Sequence, residues 1–528
     1  MIWVDRLVKE IKKRNLPLEW VDDMKTPSGR IHVGSLRGVI IHDLVYKVLL
    51  ENNIQAKFTY VFNDHDPMDA IPSYLDFKKW SKYLGIPLYK IPSPVAGFKN
   101  YAEFYAKEFV EVFRAINAHP EVVWSSELYR SGKMNDSIRK ILDEAPKIRE
   151  IYYRISKAKK PDDWYPFNVE CQKCHKISST YVYRWDGENV YYRCRPATVS
   201  WAKGCEHEGK TSPFNGNGKL PWKLDWPATW KVMGVTLEGS GKDHMSSGGS
   251  YDLAKTVCEE VLHYPAPYPI AYEWFTVGGR KMSSSKGVGA SSKEVAEILP
   301  PELLRFLIVR TPINRALDFN PDGPTIPNLF DDYDRHMEAY FAKLENKIPK
   351  GKKGEVMLDF ARIIELSQVR PLPEKRIFLP RFRTVANLVK TKADILNFFE
   401  NQKGTKLNEQ EKAVLEERIV YAQVYLKDYA EEKERIELIQ KMPLHLKITE
   451  GQKNFLKELA VALAEEKPVR REDIQNIFFA VLKRKGLQSK EAFTGFYQIL
   501  TGKNFGPKAA DLILEMGIEN VIKRLSKL

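Results

Sequence analysis

Apolar and polar positions change rhythm several times along the first ninety residues. "MIWVDRLVKEIKKRN" threads acids and bases through an apolar helical repeat and predicts an amphipathic helix. "LEWV" reads as a strand. Leu36, Val39, Ile40, Leu44, Val48 and Leu49 then recur at helical spacing, and "AKFTYVF" is a second β-rich run ending in the acidic turn "NDHDP". Strand, helix and strand in this order predict the start of a parallel, doubly wound α/β sheet, which binds ligands beyond the carboxyl ends of its strands. From about residue 85 the alternation stops. Aromatic-rich helical text ("YAEFYAKEFVEVFRAI") and a cysteine region predict an insertion that closes in "TSPFNGNGKLPW". Strand-like text returns with "WKVMGVTLEGSGKDH", a helix follows through "YDLAKTVCEEVL", and "PIAYEWFTV" is β-rich again. After Pro324 almost every segment has helical period. The expected organisation is a first α/β half at 1–89, an insertion at 90–218, a second half at 219–275, a loop region at 276–324 and a helical domain at 325–528.

Composition narrows the classes. A chain of 528 residues is too long for one core. It has no run of about 18 uncharged apolar residues, so no membrane span is expected. The acid-bearing N-terminus does not read as a signal peptide, and the expected setting is soluble and cytoplasmic. A formal net charge of +14 favours a polyanionic partner, since clustered Lys and Arg displace counterions from phosphates. The sequence leaves the oligomeric state open, and a monomer is compatible with it.

Two loops carry candidate chemistry. In "TPSGRIHVGSLRG", Thr26 to Gly38, a turn rich in Gly and small hydroxyl residues sits where a strand hands over to a helix. The helix start offers unpaired N–H groups and a positive dipole end to an anion. Gly29 and Gly34 allow close approach, and His32 can donate to a phosphate oxygen as charge develops. Far downstream, "GGRKMSSSKG", Gly278 to Gly287, is poor core material, and its Lys281 and Lys286 suit a triphosphate. A third turn, "GSGKDH", Gly239 to His244, places Asp243 to accept from sugar hydroxyls, with Gly241 keeping the approach open.

Together, "HVG" and "KMSSSKG" resemble the HIGH and KMSKS signatures of class I aminoacyl-tRNA synthetases, with Ser35 at the fourth HIGH position and Ser284 at the lysine position of KMSKS. The resemblance is closest to the lysyl type found in archaea and spirochaetes. It runs through "PSGRIHVG", "NDHDPMDAIP", "LPWKLDWPATW", "GKDH", "GGSYDLA", "YEWF", "KMSSSKG" and "FTGFYQILTGKNFGPKAADLI". It implies a Rossmann-type catalytic domain, a tRNA stem-contact region at 276–324, a helical anticodon-binding domain, and lysine, ATP with Mg2+ and tRNA(Lys) as ligands. Catalytic roles fall to His32, Lys286 and Lys281. ATP falls to Gly29, His32, Gly34, Ser35, Gly241, Asp243, Met282, Ser283 and Lys286. Lysine needs aromatic faces for its stem and an acid for its ammonium. By resemblance Gly29, Trp222, His244 and Tyr272 surround it, with Asp64 and Asp225 as charge partners. Phe496, Tyr497, Lys503, Phe505 and Lys508 are the candidate tRNA contacts.

"CQKCH" followed by Cys194 and Cys205 suits a closed structural zinc site. Cys171 and Cys174 supply the first pair. Because Cys194 and Cys205 are not two residues apart, His175 and His207 stay open as alternatives. Three rival functions also stay open: a glutamyl or glutaminyl relative, an idle RNA-binding protein on a synthetase scaffold, and a nucleotidyltransferase, which shares the phosphate loop but leaves the long helical tail without a job.

Overall fold

The structure, a computed structural model, describes residues 1–278, 290–391, 394–431, 448–468, 471–506 and 508–528. The chain forms two compact units, 1–320 with 345–372 and 321–344 with 373–528.

The first unit is built on five parallel strands, β1 (Glu19–Lys25), β2 (Ala56–Phe62), β3 (Glu121–Trp124), β4 (Leu237–Gly241) and β5 (Tyr268–Tyr272), in the order β5-β4-β1-β2-β3. β1 and β2 pair from Glu19 opposite Ala56 to Lys25 opposite Phe62, and β1 meets β4 at Val21–Leu237 and Asp22–Glu238. Successive strands therefore leave β1 in opposite directions, which opens a crevice above the carboxyl ends of β1 and β4.

β2 covers the predicted "AKFTYVF". β1 is longer than "LEWV", because it continues through Asp22 and Asp23, both buried. "WKVM" belongs instead to the helix Trp222–Met233, which stops at Gly234 in a left-handed conformation (φ 84°) before β4 begins. The expected boundary at residue 90 falls too early. A parallel strand needs a crossover helix, and the aromatic-rich helix Tyr101–Ala115 is that crossover into β3. Its Phe109 and Phe113 rings lie 5.9 and 5.7 Å from Tyr60 of β2. The insertion proper follows β3. It holds three helices (Ser125–Arg130, Asn135–Asp143, Ala145–Ser156) and an antiparallel sheet of Thr180–Trp185, Val190–Cys194 and Glu208–Thr211.

The boundary at 325 is also corrected, since 345–372 packs with the first unit. One buried side chain shows why. Arg305 donates to Asp43 Oδ2 (2.5 Å) in the helix Gly34–Glu51, to Leu366 O (2.9 Å) and to Ile116 O (3.0 Å). The second unit is helical, and its C-terminal core gathers Phe455, Leu459, Phe478, Phe496 and Leu500. Among the described residues no helix is long and apolar enough to cross a membrane.

Arg305→Ala should lower unfolding free energy by about 3 kcal/mol, because truncating one partner of a buried ion pair strands the other. Urea unfolding followed by circular dichroism checks this, and an unchanged midpoint would show that Arg305 holds nothing together.

Candidate active site

β1 ends at Lys25, and the chain turns through His32 into the helix Gly34–Glu51. That turn is bound to a distant segment. Val33 N–H donates to Ala290 O (3.2 Å), and the N–H and hydroxyl of Ser292 both donate to Ile31 O (2.9 and 3.0 Å). Gly34 is required here: a Cβ would stand 2.8 Å from His32 Nδ1 and 3.1 Å from Phe275 O. Phe275–Thr276 in turn pairs with Leu317–Asp318. Both described flanks of 279–289 thus meet the His32 turn. Lys281, Met282, Ser283 and Lys286 themselves lie outside the described residues.

Buried Arg37 fixes one of those flanks. Its guanidinium donates to Trp274 O (2.9 Å), Pro312 O (3.0 Å) and Arg315 O (2.7 Å), and burial lowers its pKa to about 10, leaving it cationic at neutral pH. His42, one helical turn further on, accepts at Nε2 from Gly239 N–H (2.7 Å). Its Nδ1 must then be the donor to Gly38 O, also 2.7 Å away. The helix is thereby fastened to β4.

Above these strands lies a cleft of about 770 Å³. Of the expected residues, His32, Gly34, Ser35, Gly241, Asp243, Trp222, Asp225, His244 and Tyr272 line it. Burial, helped by Lys25, pulls the His32 pKa down to about 3, so the ring is neutral near pH 7 and can donate one N–H. Asp243 accepts from the Trp274 indole (2.8 Å), and the His244 ring stands 5.5 Å from that of Trp222, which is 47% exposed.

Two expected residues do not line the cleft. Gly29 is buried in the turn. Asp64 faces the helix Ser125–Arg130, accepting from Ser126 N–H (2.8 Å), Ser126 Oγ (2.6 Å) and Ser125 Oγ (3.1 Å), so it is a helix-start acceptor and not a charge partner for a ligand. Asp225 lines the cleft but already holds Lys219 Nζ (3.0 Å) and the Tyr129 hydroxyl (2.6 Å).

The cleft also has acids that motif reading missed. Asp23, at the end of β1, accepts Met24 N–H at Oδ1 (2.9 Å). A Cβ on Gly38 would lie 2.7 Å from both Asp23 Oδ2 and the Tyr272 hydroxyl, so the missing side chain leaves room for both groups. Glu238, on β4, accepts the indole N–H groups of Trp226 and Trp230, one on each oxygen. Burial raises the pKa of Asp23, and it raises that of Glu238, reinforced by Asp22 across the strand pair. Among the described residues, six acids line the cleft (Asp23, Asp66, Asp69, Asp225, Glu238, Asp243) against two lysines, Lys25 and Lys219, and Lys219 is paired with Asp66 and Asp225. The signal was present in "WVDDM": acids inside a strand are paired, catalytic or aimed at a cation.

In the insertion, Cys171, Cys174, Cys194 and Cys205 bring their sulfurs within 4.8 Å of one another, with Cys171–Cys205 and Cys174–Cys194 both at 3.6 Å. Thiolates at the usual ~2.3 Å from a tetrahedral metal lie roughly 3.8 Å apart, so the set can hold a metal ion. His175 instead sits 3.1 Å from Glu170, and His207 packs beside Tyr192. The alternative ligands are set aside in favour of Cys205.

Of the candidate tRNA contacts, Phe496 is fully buried and Tyr497 nearly so, both in the helical core, so Phe496 cannot stack on a base. Lys503, Phe505 and Lys508 are exposed.

A parallel sheet with its switch-point cleft, a histidine at the helix start and a lysine-serine loop flanked at that same turn define a class I aminoacyl-tRNA synthetase. The profile described as "tRNA synthetases class I (K)" matches residues 1–369, and the "Anticodon binding domain" profile matches 379–528. The chain belongs to this lysyl-type class I family. It is 34% identical to a lysine–tRNA ligase of Methanococcus maripaludis over 100% of this chain and 99% of that one. It is 31% identical to those of Methanosphaera stadtmanae (99% and 98%) and Methanocaldococcus jannaschii (100% and 99%). A solved glutamate tRNA ligase from Elizabethkingia meningosepticum overlaps 96% of this chain and 98% of its own at 13% identity and a TM-score of 0.37, too distant to bear on the site.

His32→Asn should slow amino-acid activation roughly a hundredfold, the usual effect of losing one preorganised donor to a developing oxyanion. The wild-type rate should show no inflection from this group between pH 5.5 and 8, because its pKa lies far below that window. An inflection near pH 6.5 that disappears in the variant would contradict the neutral-donor assignment.

Proposed function

We infer that the chain is an ATP-dependent lysine–tRNA ligase, which forms lysyl-adenylate and then lysyl-tRNA. The observation that carries the reading is a single cleft in which the His32 turn meets a wall of acids. In this reading the lysine stem lies along aromatic rings, including Tyr272, and the ammonium meets Asp23 beside the Tyr272 hydroxyl. Gly34 and Ser35 face the phosphates, and Asp243 and Gly241 face the ribose. A carboxylate side chain would meet repulsion at the same wall, which counts against a glutamyl type.

The lysine α-carboxylate attacks the α-phosphorus of ATP. The bond from that phosphorus to the β-bridging oxygen breaks, and pyrophosphate leaves. His32 donates to the α-phosphate as charge grows there, while Lys286, with Lys281 in support, meets charge on the departing pyrophosphate. Magnesium accompanies ATP and neutralises part of its charge. The terminal ribose of tRNA, through its 2′-hydroxyl by class resemblance, then attacks the lysyl carbonyl and AMP leaves. No protein nucleophile is needed, since alignment and charge stabilisation carry the rate. Zinc is the metal proposed for the four thiolates. It would close the small antiparallel sheet of the insertion and take no part in chemistry.

Pyrophosphate exchange tests the substrate. With tRNA present, lysine should drive exchange and glutamate should not, and Asp23→Asn should reduce kcat/KM for lysine roughly ten- to a hundredfold, as expected for a lost hydrogen bond to a charged group. Exchange driven by glutamate, or an unchanged Asp23→Asn, would overturn the assignment. Lys286→Ala should slow activation far more than it weakens lysine binding, and near-normal activation would contradict the role given to that residue. Elemental analysis should find one zinc per chain, and a metal-free folded protein would remove zinc from the account.

A further inference from the structure

The second unit contains a pocket lined partly by the stretch that begins at Phe493, whose Tyr497 and Lys508 were candidate tRNA contacts, and partly by a preceding helix that no motif marked. It has a volume of about 380 Å³ and lies where three helices meet. The helix Arg471–Lys485 contributes Arg471, Gln475 and Phe479, one to a turn along one face. The helix Ser489–Thr501 contributes Phe493 and Tyr497, also one turn apart. Lys508, at the start of Ala509–Met516, closes the rim.

Its chemistry is particular. Phe493 lies nearly parallel to Phe478 (centroids 4.7 Å, 15°) and to Tyr497 (6.2 Å, 21°), so flat faces are stacked in one direction. Phe479 stands edge-on to Phe493 at 6.3 Å and 74°, and is 45% exposed. Two cations flank these rings. Arg471 Nε is 2.7 Å from Asp511, the one acid paired with it, and its terminal nitrogens have no hydrogen-bond partner among the described residues. Lys508 is exposed, as is Gln475, whose amide offers both a donor and an acceptor. Flat apolar faces, a two-way hydrogen-bonding amide and cations at the rim are complementary to a nucleobase with its phosphate. An apolar peptide side chain would call for the rings alone.

We propose that this pocket receives one unpaired base of the tRNA anticodon loop, stacked against Phe479 and Phe493 and read on its edge by Gln475, with Arg471 and Lys508 on the adjoining phosphates. The assignment rests on the tRNA-charging function inferred above and on the anticodon-binding profile over 379–528, which names no residue. It replaces Phe496, whose ring is sealed in the core only one residue from Tyr497.

The test is aminoacylation kinetics of the full chain with tRNA(Lys) transcripts carrying the cognate anticodon or a replacement at each of its three positions. Phe479→Ala and Gln475→Ala are suitable variants because both side chains are exposed. Each should lower kcat/KM for the cognate transcript about ten- to a hundredfold, the range expected for losing base–aromatic stacking. Each should also blunt discrimination at one anticodon position and leave it intact at the other two. Lysyl-adenylate formation at saturating tRNA should be unchanged. Equal charging by variant and wild type would overturn the pocket, and so would a uniform loss with discrimination intact. Rescue of binding by an apolar peptide in place of RNA would point to a protein ligand and likewise refute it. Failure of the wild type to charge any transcript with lysine would instead strike the functional reading beneath it.

Discussion

The first strand-to-helix turn, Ile31 to Gly34, is tied to segments more than 240 positions away. Val33 bonds Ala290, Ser292 bonds Ile31, and the missing Cβ of Gly34 admits the carbonyl of Phe275. This contact decides where a lysine-rich loop starts and ends. Phosphate chemistry needs a donor on one side of the triphosphate and cations on the other, held without further reorganisation. Arg37 serves the same end, with three carbonyls around one guanidinium. Arg305 does so at longer range by keeping the helix behind the turn in place.

The buried acids of β1 and β4 show a second constraint. Asp22, Asp23 and Glu238 are buried close together, and burial raises the pKa of each. A carboxyl whose folded pKa is raised contributes stability at low pH and loses it as pH climbs through that folded value. In the function proposed above, an amine ligand would bring positive charge to these carboxyls, so selectivity for a cation and stabilisation by ligand would come from the same residues.

Much of this was legible from the chain. β2 follows its alternating β-branched and aromatic text, and the four cysteines grouped in the sequence also meet in space, as a set that can hold a metal ion. What escaped has physical reasons. β1 hid its second half because charged residues in a buried strand look like a turn. β3 has four residues and follows an aromatic helix that reads as an insertion. In "NDHDP" the two aspartates look alike, yet Asp64 accepts from the first turn of the distant helix Ser125–Arg130 while Asp66 turns into the cleft to meet Lys219. Cys205 could not be chosen over two histidines by spacing. The antiparallel strands ending at Cys194 and beginning at Glu208 are what bring it round.

One cleft is proposed to hold both the amine and the phosphate ends of the reaction, and a crystal structure with a non-hydrolysable lysyl-adenylate analogue checks this. The ammonium should lie within hydrogen-bonding distance of Asp23 and the phosphate mimic beside His32. An analogue bound with its ammonium toward solvent or toward Asp64, or with its phosphate mimic away from the His32 turn, would contradict it.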